Sequence, residues 1–288
     1  MQEISIEATI IQPHKIKFMQ PFSVLMSVYH LECPEYLQAC LESIFSQTAP
    51  ASEVILVKDG PLTNDLEEII ARFSVRHPEL KTVDLPVNVG LGRALNEGLK
   101  HCSYELVARM DTDDICKPRR FERQIQAFTE NPEIDVCSSW VDEFEKDIRN
   151  IESQRRLPER HEQIARYAKS RCPVNHPVVM YRKSRVMEVG GYYGFPEDSH
   201  LWVKLLMNGA RFHNLQESLL WFRISKDMFK RRGGWKYAKD DLLSQWRFHQ
   251  EGFLSFPEFL KNIMIRGTVR IMPNGIRTWV YKKLLRNR

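Results

Sequence analysis

The feature that most constrains this chain is an alternation along its first 115 residues. Short apolar runs are each followed by a stretch whose apolar residues recur at helical spacing. Phe22–Val28 is a continuous apolar run of the kind buried on both faces of a parallel sheet. After Pro34, residues Leu37, Leu41, Ile44 and Phe45 mark one face of a helix. Glu53–Lys58 repeats the run, Asp59-Gly60-Pro61 ends it, and Leu66, Ile69, Ile70 and Phe73 form the next helical stripe. Residues 81–85 predict a third strand, and the glycine-punctuated Asn88-Val89-Gly90-Leu91-Gly92-Arg93 opens a helix through Leu95 and Leu99. Residues 105–110 predict a fourth strand. Such an order implies an α/β fold: a mostly parallel central sheet with right-handed crossovers, flanked by helices in a Rossmann-like manner.

Ligands of such sheets bind at the carboxyl ends of the strands. Four loops are therefore expected on one rim, carrying Ser27 to His30, Asp59-Gly60, Asn88 to Arg93, and Asp111-Thr112-Asp113-Asp114. The last loop places three carboxylates within four residues at the mouth of a buried strand. Like charges so crowded repel one another, and a divalent cation between them is one resolution. The other is a solvated turn capping the helix that starts near Pro118.

Beyond residue 115 the chain predicts a helix over 119–128, a strand over 134–140, and a charged, exposed stretch over 143–160. A strand over 175–181 and a flexible glycine loop over 190–194 follow. Glu197-Asp198 then precedes a helix with Leu201, Trp202, Leu205 and Leu206 on its apolar face. Asp198 reads either as a helix N-cap or as a general base fixed at a helix N-terminus, able to take a proton from a nucleophilic hydroxyl. Asp59 reads as a turn former, as an acceptor for a nucleobase or ribose, or as both. Arg93 and Arg109 flank the expected site and are candidates to neutralise a diphosphate. His176 reads as a ligand or as a satisfied structural histidine. Neither G-x-G-x-x-G, nor a P-loop, nor a G-x-S-x-G elbow occurs, which disfavours dehydrogenase, P-loop nucleotidase and hydrolase readings.

The net charge of +5 over 288 residues hides an asymmetry. From residue 220 onward there are 16 Lys or Arg against 5 Asp or Glu, whereas the preceding residues carry a net negative charge. The final quarter is thus a basic, helical extension whose partners are anionic. Ile276, Trp279, Val280 and Leu284 share one helical face, with Arg277, Lys282, Lys283, Arg286 and Arg288 supplying cations. That pattern suits the interface of an anionic membrane, and equally a tail helix packed on its own domain through Trp279. Nucleic acid is not expected, because aromatic interleaving is sparse and no reader motif occurs. The acidic N-terminus lacks the basic and apolar regions of a secretory signal, and no window is long and apolar enough to span a bilayer. Six scattered cysteines without a C-x-x-C pair fit reduced thiols in a cytosolic compartment.

Read together, residues 22–29, the 41–48 helix end, residues 53–60, Asn88-Val89-Gly90-Leu91, Asp111-Thr112-Asp113-Asp114 and residues 197–202 resemble the family-2 inverting glycosyltransferases of the GT-A fold. The resemblance covers about residues 20 to 225. It implies an N-terminal extension over 1–20 and a catalytic domain over 21–225, with a nucleotide-sugar half to about 115 and an acceptor half beyond it. The basic extension then occupies 226–288. It also implies a nucleotide-sugar donor held near Ser27, Tyr29 and Asp59, with Asp111 and Asp113 matching the family's D-x-D. Asp113 becomes the metal ligand for Mn²⁺ or Mg²⁺, and Asp111 lies nearer the ribose. Asp198, with Glu197 beside it, matches the catalytic carboxylate. Many members place an Arg directly before the Asn of the glycine-rich helix, where this chain has Leu95 before Asn96 and its arginine at Arg93.

More narrowly, residues 107–111, Asn175-His176-Pro177 and Phe222-Arg223-Ile224-Ser225 through Gly234 resemble bacterial enzymes that build O-antigen, capsule or exopolysaccharide repeats. For these the resemblance implies transfer of galactose or glucose from a UDP-sugar to a lipid-linked N-acetylhexosamine on undecaprenyl diphosphate, with the enzyme peripheral on the inner face of the cytoplasmic membrane. The alternatives are a sugar nucleotidyltransferase and a non-catalytic nucleotide-binding or membrane-surface scaffold. The first would need a glycine-rich basic loop early in the chain, and the second requires neither Asp113 nor Asp198.

Overall fold

The computed structural model describes residues 20–225 and 235–271. The early alternation forms as expected: β1 Phe22–Val28, α1 Pro34–Phe45, β2 Glu53–Lys58, α2 Asn64–Arg76, β3 Leu80–Asp84, α3 Leu91–His101 and β4 Leu106–Asp111. Proline at the first position of α1 costs no hydrogen bond, and the Thr63 hydroxyl accepts the Leu66 N–H to start α2. Strands β1 to β4 pair in parallel in the order β3-β2-β1-β4, so their carboxyl ends share one edge.

Successive residues of β1 serve two different cores, as the period of two along a strand requires. Val24 and Met26 pack with α1 and α2 through Leu37, Leu41 and Ile70. Leu25 belongs to the cluster on the other face, which includes Leu95 and Leu99 of α3 and Leu201, Trp202 and Leu205 of α7, Glu197–Met207.

The second half completes the sheet in mixed sense. A short β5 Ile115–Cys116 and α4 Arg120–Glu130 lead into β6 Val136–Phe144, β7 Ile151–Arg155 and α5 His161–Ala168. Then come β8 Met180–Arg182, α6 Lys183–Glu188, α7 and β9 Phe212–Arg223. The full order is β3-β2-β1-β4-β8-β6-β9-β5, with β7 beside β6. Strand β8 runs antiparallel to β4 and β6, while β6 and β9 run parallel. The parallel character is thus concentrated in the half that carries the rim.

Two segments differ from expectation. Residues 143–160 are not simply exposed: β6 and β7 form an antiparallel pair, and the fully buried Glu143 is compensated by Arg155 at 3.1 Å. The strand expected over 175–181 is a one-turn 3₁₀ helix, His176–Val178, followed by β8. Pro177 fixes its own φ and has no N–H to offer a ladder, so the segment turns before it pairs. Last come α8 Trp235–Gln250 and α9 Phe256–Ile271. The tail helix through Trp279 and almost all of the 1–20 extension lie outside the described residues. No helix among the described residues is long and apolar enough to cross a membrane.

Candidate active site

Parallel pairing sets Ser27 level with Val57 of β2 and Asp111 of β4, so the loops leaving these strands emerge side by side. Ser27 is half-buried and Tyr29 is exposed in the loop that follows. Asp59, buried at the end of β2, accepts the Val89 N–H at 2.7 Å and the Gly90 N–H at 3.1 Å. Its two oxygens hold the entry to α3, which leaves only their remaining lone pairs for a ligand. Arg93 lies exposed in the first turn of α3, with no ion-pair partner among the described residues.

The carboxylate oxygens of Asp111, Asp113 and Asp114 lie within 4.8 Å of one another. They do not cap the next helix, since Arg119 is the N-cap of α4 and no side chain caps it. Glu32, from the loop after β1, adds a fourth acid by accepting the Thr112 hydroxyl and the Cys33 N–H. Burial pushes the Asp113 carboxyl up to about 7, reinforced by the charges of Asp111 and Glu32. Burial raises Glu32 as well, and lifts Asp114 far above the carboxylate range with Asp113 and Asp111 adding to it. Asp114 is fully buried; one oxygen accepts the Arg223 N–H at 2.7 Å and the other has no partner. Arg223 donates through Nε to the Asp113 carbonyl at 2.8 Å and lies 3.8 Å over the Tyr36 ring, tying the acidic turn to β9.

Among the described ion pairs this cluster has a single one, from Arg109 to Asp111. An anionic cluster so poorly compensated, built of hard oxygens and containing an orphaned buried oxygen, fits a divalent cation. Sequence reasoning missed Glu32 and Arg223, which stand 80 and 110 positions from their partners in the acidic turn. Only the register of the folded sheet brings them there.

Arg109 is not at the site's periphery, as the sequence suggested, but inside β4 with a relative exposure of 1%. It bonds Asp111 through Nη2, while its Nε and Nη1 have no partner. Its charge reaches Asp113 and Asp114 on one side and Glu197, Tyr192 and His176 on the other. It therefore links two acidic centres.

The second centre is the first turn of α7. Pro196, not Asp198, is the N-cap, which removes the cap reading of Asp198. The Asp198 carboxylate accepts the Ser199 N–H at 2.7 Å and approaches the Cys172 thiol at 3.8 Å. Burial raises the Glu197 carboxyl, the Asp198 charge adds to the shift, and Arg109 opposes it. The Glu197 side chain packs on the start of α3, where a Cβ on Gly92 would lie 3.1 Å from Glu197 Cβ. Deeper in α3, the Asn96 amide donates to the Tyr192 carbonyl at 2.7 Å and accepts the Tyr192 N–H at 2.8 Å. Gly191 beside it has φ +73°, a conformation that glycine adopts without strain. His176 is buried 3.2 Å from the Tyr192 hydroxyl, and burial together with Arg109 pushes its pKa well down. Its neutral form is therefore favoured.

Residues 23–190 match the profile of glycosyl transferase family 2. A UDP-Gal:alpha-D-GlcNAc-diphosphoundecaprenol beta-1,3-galactosyltransferase of Escherichia coli is 40% identical over 92% of this chain and 96% of its own length. The chain belongs to glycosyltransferase family 2. A second relative of this glycosyltransferase, the amylovoran biosynthesis glycosyltransferase AmsE of Erwinia amylovora, is 38% identical over 91% of this chain and 98% of its own. Among solved structures, the mannosyltransferase PcManGT from Pyrobaculum calidifontis, in complex with GDP-Man and Mn²⁺, aligns with TM-score 0.64 at 18% identity. That alignment covers 91% of this chain and 72% of the other. S. aureus TarS residues 1–349 with UDP-GlcNAc give the same TM-score and identity over 91% and 75% of the two chains. The glycosyltransferase thus has the GT-A architecture expected from its sequence.

Proposed function

We propose that the enzyme transfers galactose or glucose, with inversion, from a UDP-sugar to a sugar carried on undecaprenyl diphosphate, such as GlcNAc, during assembly of a bacterial surface polysaccharide. The observation that carries this reading is the pair of acidic centres joined across buried Arg109. One is suited to a diphosphate–metal complex and the other to deprotonating an acceptor. The names of the two relatives above support the donor, the lipid-linked acceptor and the polysaccharide setting.

In this reading the catalytic unit spans about 21–225, and the donor binds in its first half against Ser27, Tyr29 and Asp59. Arg93, exposed and free of ion pairs among the described residues, is available to the diphosphate. Asp113 and Asp111 would hold Mn²⁺ or Mg²⁺, which when bound supplies electrophilic stabilisation of the charge on the leaving diphosphate. Asp198, held by the Ser199 N–H, takes the proton from the acceptor hydroxyl as that oxygen attacks C1 from the opposite face. Glu197 beside it keeps the local field negative. The basic segment 226–288 holds the enzyme on the inner face of the cytoplasmic membrane, where such an acceptor resides.

The test is transfer from radiolabelled UDP-galactose and UDP-glucose to GlcNAc on a polyprenyl diphosphate, with and without Mn²⁺. A β-linked product is expected, and Asp198→Asn is expected to bind donor yet fail to transfer. Full turnover by Asp198→Asn would remove it as the base, and labelled product from neither donor would reject the substrate assignment.

A further inference from the structure

Helices α8 and α9 bury mainly polar residues, Asp241, Ser244 and Gln245 on α8 and Asn262 on α9, alongside Ala238 and Phe248, the latter packed with Val203, Phe253 and Leu254. Each of the polar four has a specific partner. Arg266 bonds Asp241 at 2.7 Å, and the Asn262 amide bonds Gln245 at 2.8 Å and the Lys169 carbonyl at 2.7 Å. Ser244 donates to the Phe195 carbonyl at 2.7 Å and lies 3.1 Å from His200 of α7. These pins fix the rotation of both helices and turn apolar side chains outward. Leu243, Trp246, Phe256, Leu260, Met264 and Ile265 are all exposed, Met264 by 64%. Between the helices lies a groove of about 610 Å³, lined by Leu242, Leu243, Trp246, Phe256, Phe259 and the cation Lys239.

An apolar face held outward by satisfied polar bonds is not a packing defect, and a contiguous exposed patch of this kind marks an interaction surface. The charge of the sequence segment that contains it selects the partner. From residue 235 to 288 the chain carries eleven Lys or Arg against four Asp or Glu, and residues 272–288 carry five cations and no acid. Lys226, Lys230, Arg231 and Arg232 precede α8 in the sequence. Apolar side chains including a tryptophan, on helices that also expose Lys239, Arg247 and Lys261, match the headgroup region of an anionic bilayer, where apolar burial and charge attraction add.

We infer that the outward face of α8–α9 is a membrane-docking surface that inserts Trp246, Leu260 and Met264 into an anionic bilayer. The choice of occupant rests on the lipid-linked acceptor proposed above. Point substitutions can remove this face while the chain keeps its full length.

The experiment is flotation of the full-length enzyme with phosphatidylglycerol-rich vesicles and with pure phosphatidylcholine vesicles, using wild type, Trp246→Gln and Leu260→Gln/Met264→Gln. Wild type is expected to bind the anionic vesicles, and each variant to partition at least tenfold more weakly. Transfer to a short-chain, water-soluble acceptor should remain unchanged, which shows that the variants are folded. Variants that bind vesicles like wild type overturn the inference. So does binding lost only on deleting residues 272–288, or a dimer that the variants break while vesicle binding persists. Vesicle binding through this face, with no transfer to any polyprenyl-diphosphate sugar, would uphold the docking surface and reject the acceptor.

Discussion

The parallel strands β1–β4 and the helix pair α8–α9 bury different mixtures of side chain. In β1, Val24, Leu25 and Met26 are completely enclosed, whereas in α8 the enclosed residues include Asp241, Ser244 and Gln245 while Leu243 and Trp246 face out. In the first region, removal of apolar surface from water decides the orientation of every element. In the second, polar groups that would be costly to leave unpaired share that task with the small cluster of Phe248, Phe253 and Leu254, and other apolar residues are left facing out. Hydrophobic periodicity locates the helices of the first region, whereas α8 and α9 carry no such stripe in the sequence reading. It indicates the buried face only in the first.

The comparison can be broken or sharpened by substitution, beginning where the effect is largest. Asp113→Ala, at the chemical end of the parallel half, is expected to lower kcat about 10³-fold or more, which is roughly 4 kcal/mol of transition-state stabilisation. Its thermal midpoint at neutral pH and above should hold or rise, because burial and the charges of Asp111 and Glu32 disfavour the ionised carboxylate. Steady-state transfer and calorimetry measure the two effects, and a marked fall in the midpoint would contradict that account. Leu25→Ala should cost about 2–5 kcal/mol in urea unfolding, as a fully enclosed leucine at the meeting of β1 and α3.

Acid should act on the second region through His200, which burial holds at about 4. Its pKa is lower folded than unfolded, so its neutral form contributes full stability above about pH 6.5. That contribution falls as the pH drops from there towards 4. Buried His176 shifts in the same direction. His200→Gln should therefore flatten the stability-versus-pH profile between these values, and an unchanged slope would assign the loss elsewhere. The smallest effect belongs to Leu243→Ser, on the outward face of α8. It should alter stability by less than about 0.5 kcal/mol, against the several expected for Leu25→Ala.

The apolar runs of β1 to β4 and the stripe Leu66, Ile69, Ile70 and Phe73 could be read from sequence because local pattern and tertiary burial agree there. The acidic turn could be read because its residues are adjacent in the chain. Glu32, Arg223 and the Asn96 amide could not, since each acquires its role from a partner about 80 or more positions away. Glu143 and Arg155 misled for a related reason: charges signify exposure until register sets them face to face. Arg109 was recognised as part of the site but not as its buried connector, because a single arginine within an apolar run carries no signal of depth.

The bond pair between Asn96 and Tyr192 also bears on how this protein can be re-engineered. A chimera that keeps residues up to about 115 and borrows the rest from a relative must carry residues 96 and 191 together. Any side chain at Gly191 would place its first carbon 2.3 Å from Asn96 Oδ1, so a mismatched graft would collide at the seam. The practical unit of exchange is therefore helix α3 with the loop that leads into α7, and a cut at residue 115 would divide it.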